Sequence, residues 1–410
     1  MNRLIRPTVG ILLAFLAVAT LSLAGAEVRA QCPPDALTSG LQSPLGITQS
    51  NKDNLLVAET GTGAPGSGRI SIVGLDGTRR TLLAGLPSGI SDVGEPSGPS
   101  GLFLRGRMLY VLIGIGDTIK AGLKPGTEEP IPGTAVPNPN GPSSPIFSSI
   151  LAIHFSANVE KRTDGFTLSP SDQQALAGGE KVKLSNGGGD KITIELIANF
   201  PDFTPNPLPF FAGNVRGSNP FDLVGVGNHL YVTDGGQNAV WQVDINSGAF
   251  SVLTVFAPIP NPFFNPTPPP PSLGGPFVEA VPTGITYSDG QLLVALFRGF
   301  PFPPGASQVV AVDPQTGVQT PFIIGLKSAI DVLPIEEGGD TDYLVLQHVS
   351  NAGPFLSGPG LLLRFETPGS APTVIANCLN RPTSMTLDEK TGTVYVTELV
   401  GGRVVGIPLP

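Results

Sequence analysis

The chain repeats one pattern six times between Leu41 and Leu409, and that repetition limits the possible folds more than any single residue does. Each copy opens with a turn and a short strand of the form Pro-x-small-apolar: Pro44 to Ile47, Pro99 to Leu102, Pro220 to Leu223, Pro282 to Ile285, Ala329 to Val332 (where Ala replaces Pro) and Pro382 to Met385. A β-branched and leucine-rich second strand follows, as in Leu55-Leu56-Val57-Ala58 or Leu230-Tyr231-Val232-Thr233. A third strand such as Val240-Trp241-Gln242-Val243 and a fourth such as Thr81-Leu82-Leu83-Ala84 complete the unit. Four short strands at a period of about 50 residues are the pattern of a β-propeller blade. The expected fold is all-β, a six-bladed β-propeller of four-stranded blades.

The ends of the repeat array predict how the ring closes. The last copy stops after its third strand, Arg403 to Ile407, while Ala36 to Leu41, ahead of the first copy, match a fourth strand. Pairing the two completes the sixth blade and removes two edges that would otherwise invite association. Blades that share one core make residues 31-410 a single domain despite their length. The second copy is long, 121 residues from Pro99 to Pro220, and reads as one blade with insertions near 117-145 and 156-190. The first is Gly/Pro/Asn-rich and predicts a surface loop; the second holds Ser169 to Leu176, a capped helical turn or two. A third insertion, 261-276, carries Pro268 to Pro271, which favours polyproline II; a surface loop joining blades three and four is the alternative.

Residues 1-30 stand apart. Arg3 and Arg6 precede an apolar run from Val9 to about Leu23, and Val28-Arg29-Ala30 offers a small-x-small cleavage site, as in a secretory signal peptide; an uncleaved anchor is the alternative. The mature chain is expected to be secreted, extracellular or periplasmic, and a monomer with no membrane attachment. Only 13% of residues are charged and the net charge is −9, which disfavours nucleic acid and anionic membranes as partners and suits a cation, a basic or a neutral ligand. The two cysteines, Cys32 and Cys378, suggest a disulfide in an oxidising compartment, although register places them toward opposite ends of neighbouring outer strands; both readings stay open.

In a propeller the first strands line a central channel, and the loops after the second and fourth strands gather at its mouth. Aligning the first strands brings Gly46, Gly101, Asp222, Gly284, Asp331 and Ser384 to one position. Aligning the second strands brings Glu59, Ile113, Asp234, Leu296, His348 and Glu398 to their exits at the mouth. Asp222, Asp331, Glu59, Asp234 and Glu398 could supply oxygens to a hard cation such as calcium. The same ring could serve a divalent-metal-dependent lactonase-like hydrolase or a lyase, with the metal polarising a carbonyl and a carboxylate activating water. Alternatively, Glu59, Asp234 and Glu398 cap the hairpins they precede or pair with Arg69, Asn238 and Arg403. His348 is the one histidine of three placed near the mouth. Gly61 to Gly66 matches G-x-G-x-x-G but lies between strands rather than before a helix, so it is no dinucleotide fingerprint. No nucleophile elbow, Walker loop or H-E-x-x-H is present.

The runs Ser218 to Leu223 and Asn228 to Asn238, with Val57-Ala58-Glu59-Thr60-Gly61 and Gly98-Pro99-Ser100-Gly101-Leu102, resemble the ScyD/ScyE family, secreted NHL-like propellers named after the scytonemin pigment gene cluster. The resemblance covers nearly all of the mature chain. It implies a secreted six-bladed propeller and matches Asn219, Asp222 and Asp234, without bringing a catalytic set. The leading expectation is therefore a binding or scaffold propeller that takes a small molecule, glycan or peptide at the channel mouth, with Asp222, Asp331, Asn219 and His348 as candidate contacts.

Overall fold

The computed structural model describes residues 35-50, 52-124, 126-267, 272-350 and 355-410. The signal-like segment, Cys32 and the run Pro268 to Pro271 lie outside the described residues. Six antiparallel sheets follow one another, each running from its first strand at the channel to its fourth at the rim. In blade 1 these are Pro44–Gln49, Asn54–Glu59, Gly68–Gly74 and Arg79–Leu86. Blade 3 shows the same unit in compact form: Pro220–Val226, His229–Asp234, Ala239–Asp244 and Phe250–Val255.

Period-2 alternation in the second strands explains how six sheets make one core. Leu56 and Ala58 pack toward blade 2, whereas Leu55 and Val57 turn toward blade 6. Leu292 and Val294 face blade 3 while Leu293 and Ala295 face blade 5. Each of six apolar clusters thus fills the space between two consecutive blades, and the last, with Leu41, Tyr395 and Val404, joins blade 6 to blade 1. Both faces of every blade are buried, which is why no blade can stand alone.

Closure occurs as expected. Ala36–Ser39 forms the fourth strand of blade 6, with Thr38 opposite Val404 and Ser39 opposite Arg403. The Leu41 N–H then donates to the Gly402 carbonyl at 2.8 Å.

Blade 2 contains Pro99–Arg105, Met108–Ile113, Ser149–Phe155 and Lys191–Asn199, and its insertions leave on opposite faces. The segment after its second strand is more ordered than a surface loop: Ile119–Leu123 pairs with Pro130–Pro137 as an irregular hairpin. The segment after its third strand forms two short helices, Ala157–Arg162 and Pro170–Ala177, the second held by a capping box between Ser169 and Asp172. Between the helices Phe166–Thr167 adds in parallel to the outer strand of blade 1, and Val182–Ser185 then extends blade 2. This insertion straps two blades together. Cys378, in the outer strand Thr373–Leu379 of blade 5, is disulfide-bonded. Among the described residues no helix is long and apolar enough to cross a membrane.

Candidate functional site

The channel is filled by the backbone that surrounds it. A Cβ on Gly46 would lie 2.1 Å from the Ser100 carbonyl oxygen; one on Gly101 would lie 2.6 Å from Asp222 Cα, and one on Gly284 2.6 Å from Asp331 Cα. Neighbouring first strands approach so closely that only glycine fits at these three positions. Asp222 and Asp331, on alternate blades, reach instead to the next blade. Asp222 Oδ2 accepts the Ile285 N–H at 3.1 Å. Asp331 Oδ2 accepts the Met385 N–H at 2.9 Å and the Ser384 hydroxyl at 3.3 Å, while its Oδ1 accepts the Val332 N–H at 2.8 Å. The void beside them, lined by Gly46, Gly101, Asp222, Thr383 and Ser384, measures about 10 Å³, room for one water.

No ion pair compensates either acid among the described residues. Removal from water pushes Asp222 up to about 7, against the ordinary 3.8. It raises Asp331 well above the same value, with the Asp222 charge adding to the effect. The pair is a proton-holding clasp between blades.

The mouth acids are equally committed. Strand register sets Glu59, Ile113, Asp234, Leu296, Gln347 and Glu398 opposite the first residues of their blades. Gln347, not His348, therefore holds the equivalent position in blade 5. Each polar member bonds the backbone that enters its own blade. Glu59 accepts the Gln42 N–H at 2.6 Å and pairs with Arg69 at 2.8 Å. Asp234 accepts N–H groups of Asn219, Gly236 and Gln237 at 2.8 to 3.0 Å and the Trp241 indole at 3.1 Å. Gln347 accepts the Lys327 N–H at 2.6 Å, and Glu398 accepts the Asn380 N–H at 2.7 Å and pairs with Arg403. Among the described residues no group of three or more His, Cys, Asp or Glu stands close enough to hold a metal ion. Calcium, which needs roughly six to eight oxygens, does not fit acids whose oxygens already serve the backbone.

His348 is buried between blades 5 and 6. Its Nδ1 lies 2.9 Å from the Pro382 carbonyl, which can only accept, so that nitrogen carries the proton. Burial pushes the ring down to about 4, so it is neutral at physiological pH, and it packs edge-on against Phe297. It fastens two blades.

A cleft of about 650 Å³ opens to one side of the mouth, over blades 2 to 4. The hairpin 119-137, the segment at Arg216 packed beside it and the segment at Glu279 line it. Arg216 pairs with Glu279 at 2.8 Å, and Glu279 also accepts the Asn238 amide. Asn214 ties the hairpin to its neighbour by accepting the Ala135 N–H at 2.8 Å and donating to the Asn206 carbonyl at 2.8 Å. Asn219 accepts the Ile115 N–H at 3.2 Å, which leaves its amide nitrogen without a partner among the described residues. Ser91 and Asp92 line the cleft beside the hairpin, whose Lys120 reaches the Ile90 carbonyl; desolvation raises the Asp92 carboxyl above its usual range, opposed by nearby N–H groups and by Lys120.

Of the predicted contacts only Asn219 reaches this cleft. Asp222 and Asp331 lie in the channel, His348 between blades, and Glu59 and Glu398 elsewhere on the mouth. Ser91, Asp92, Asn206 and Arg216 were not foreseen, because they come from separate loops with no shared local motif. One signal was available: insertions after a second strand and after a fourth strand must emerge on the same face.

No protein-family model matches the chain, and no curated protein matches it by sequence. Solved structures that resemble it include the PQQ-bound aldose sugar dehydrogenase of Streptomyces coelicolor, at 14% identity over 91% of this chain and 96% of that one with a TM-score of 0.46. A Thermus thermophilus protein described as an oxidoreductase of glucose dehydrogenase type shows 12% identity over 91% and 98%, TM-score 0.46. A nidogen–laminin complex shows 11% identity over 87% and 93%, TM-score 0.41. At such identities no activity transfers to this chain.

Proposed function

We propose that the protein is a ligand-binding propeller whose site is the mouth-face cleft. One contrast carries the reading: the acids of the channel and mouth spend their oxygens on the backbone, whereas the cleft holds a Ser91 hydroxyl and an Asn219 amide nitrogen without protein partners among the described residues. A pocket of about 650 Å³ with aliphatic walls and a few convergent polar groups has the size and lining of small-molecule sites. A hydrolase or lyase acting through Asp222 and Asp331 would need them accessible, and a void of about 10 Å³ admits no substrate. The signal-like N-terminus and the resemblance to secreted ScyD/ScyE propellers support action outside the cytoplasm. Calcium has no part in this reading.

A blocking variant tests it. Gly299 lines the cleft, and a Cβ there meets its nearest atoms at 3.5 to 3.7 Å, ordinary contact, so a side chain can start there and Gly299→Trp should obstruct the cleft. Ligands found by melting shifts across a metabolite library should raise the wild-type melting temperature and leave Gly299→Trp, itself folded, unmoved. Equal shifts in both proteins would place binding elsewhere.

A further inference from the structure

We infer that the ligand of the cleft is an uncharged, hydroxyl-rich molecule of carbohydrate type, held by Ser91, Asp92 and Asn219; this rests on the cleft being the binding site. Both terminal nitrogens of Arg216 face Glu279, at 2.8 and 3.3 Å, so the cation in the wall is already matched. Lys120, near Asp92, donates to the Ile90 carbonyl at 3.1 Å and does not line the cleft. A phosphate, sulfate or carboxylate would enter without a free cation to meet it.

What remains unsatisfied is of another kind. Ser91 is 8% exposed, and its hydroxyl has no hydrogen-bond partner among the described residues. The amide nitrogen of Asn219 has no partner among the described residues, and the half-buried Asp92 carboxyl, which accepts the N–H groups of Asp92 and Val93, keeps lone pairs for a further donor. A hydroxyl, an amide donor and a carboxylate acceptor call for a partner that donates and accepts at several points, and a polyol does both from every oxygen. A purely apolar ligand would strand these groups without partners. Ile115, Ile119, Val215 and Val281 supply apolar surface for the C–H faces of sugar rings. An amine would satisfy Asp92 alone, with Lys120 working against it.

The test uses the full mature chain on an array of neutral oligosaccharides, with spermidine and citrate titrated calorimetrically. The inference predicts binding of neutral oligosaccharides. Ser91→Ala and Asp92→Asn should each weaken it about tenfold, near 1.4 kcal/mol, and Gly299→Trp should abolish it. Binding of spermidine or citrate that Gly299→Trp removes, with a silent array, overturns the ligand class and leaves the cleft standing. Oligosaccharide binding that survives Gly299→Trp overturns both readings, as does a protein that binds none of the three classes.

Discussion

At the scale of residues, the channel acids set how stability responds to pH. An aspartate in the unfolded chain ionises near 3.8, whereas Asp222 in the fold does so near 7. The folded state therefore keeps a proton that the unfolded chain gives up. That contribution is fully present below pH 3.8 and is lost as pH rises through about 7. Unfolding should cost about 2–4 kcal/mol more at pH 5 than at pH 8, and the melting temperature should be correspondingly higher at pH 5; Asp331 acts in the same direction. Asp222→Asn, neutral and similar in shape, should flatten the profile; a wild-type profile already flat from pH 5 to 8 would contradict the clasp. The positions of both acids are readable from the repeat, because register alone places them in the channel. Their partners are not, since a carboxylate that bonds a neighbouring blade's N–H and one that binds a metal look alike in sequence. His348 shows a second limit. Tyr343, buried in the second strand of blade 5, stands opposite Pro334 in the structure and belongs inside the repeat unit. Reading that strand as Leu344 to Gln347, which puts His348 at its exit, slips the alignment by one residue, and a slip of one exchanges the faces of a strand.

At the scale of elements, the N-terminal strand closes the ring. Leu37 and Leu41 join the cluster between blades 6 and 1, and Arg79 donates to the Ser39 carbonyl at 3.1 Å. Deleting residues 35-41 should lower the melting temperature and bare the edge of Arg403–Pro408, giving oligomers visible by sedimentation. A truncated protein that stays monomeric with unchanged melting would refute closure by this strand. Its role is legible in sequence because it fills the one slot the sixth copy lacks. The hairpin 119-137 is hidden for the opposite reason. Its strands are rich in Gly and Pro, and their register shifts between Ala121 and Leu123, so no alternation marks them. The strap through Phe166–Thr167 is equally hidden, since two residues paired in parallel to a distant strand carry no local pattern.

At the scale of the whole molecule, the fold separates a closed channel from an open cleft. The ring was readable because every blade repeats the same alternation; the cleft was not, because it arises where unrelated loops meet. Metal should be dispensable to this arrangement: calcium and chelator should leave the melting temperature unmoved, and a stoichiometric, stabilising calcium would contradict the assignment of the acids to the backbone. The central claim, that ligands enter the cleft and not the channel, is tested most directly by hydrogen exchange on the wild type with a molecule that shifts its melting. Protection should concentrate in segments 91-93, 130-135, 214-219 and 235-238, which line the cleft. Protection confined to the first strands at Gly46, Asp222 and Ser384, with those segments unchanged, would contradict it.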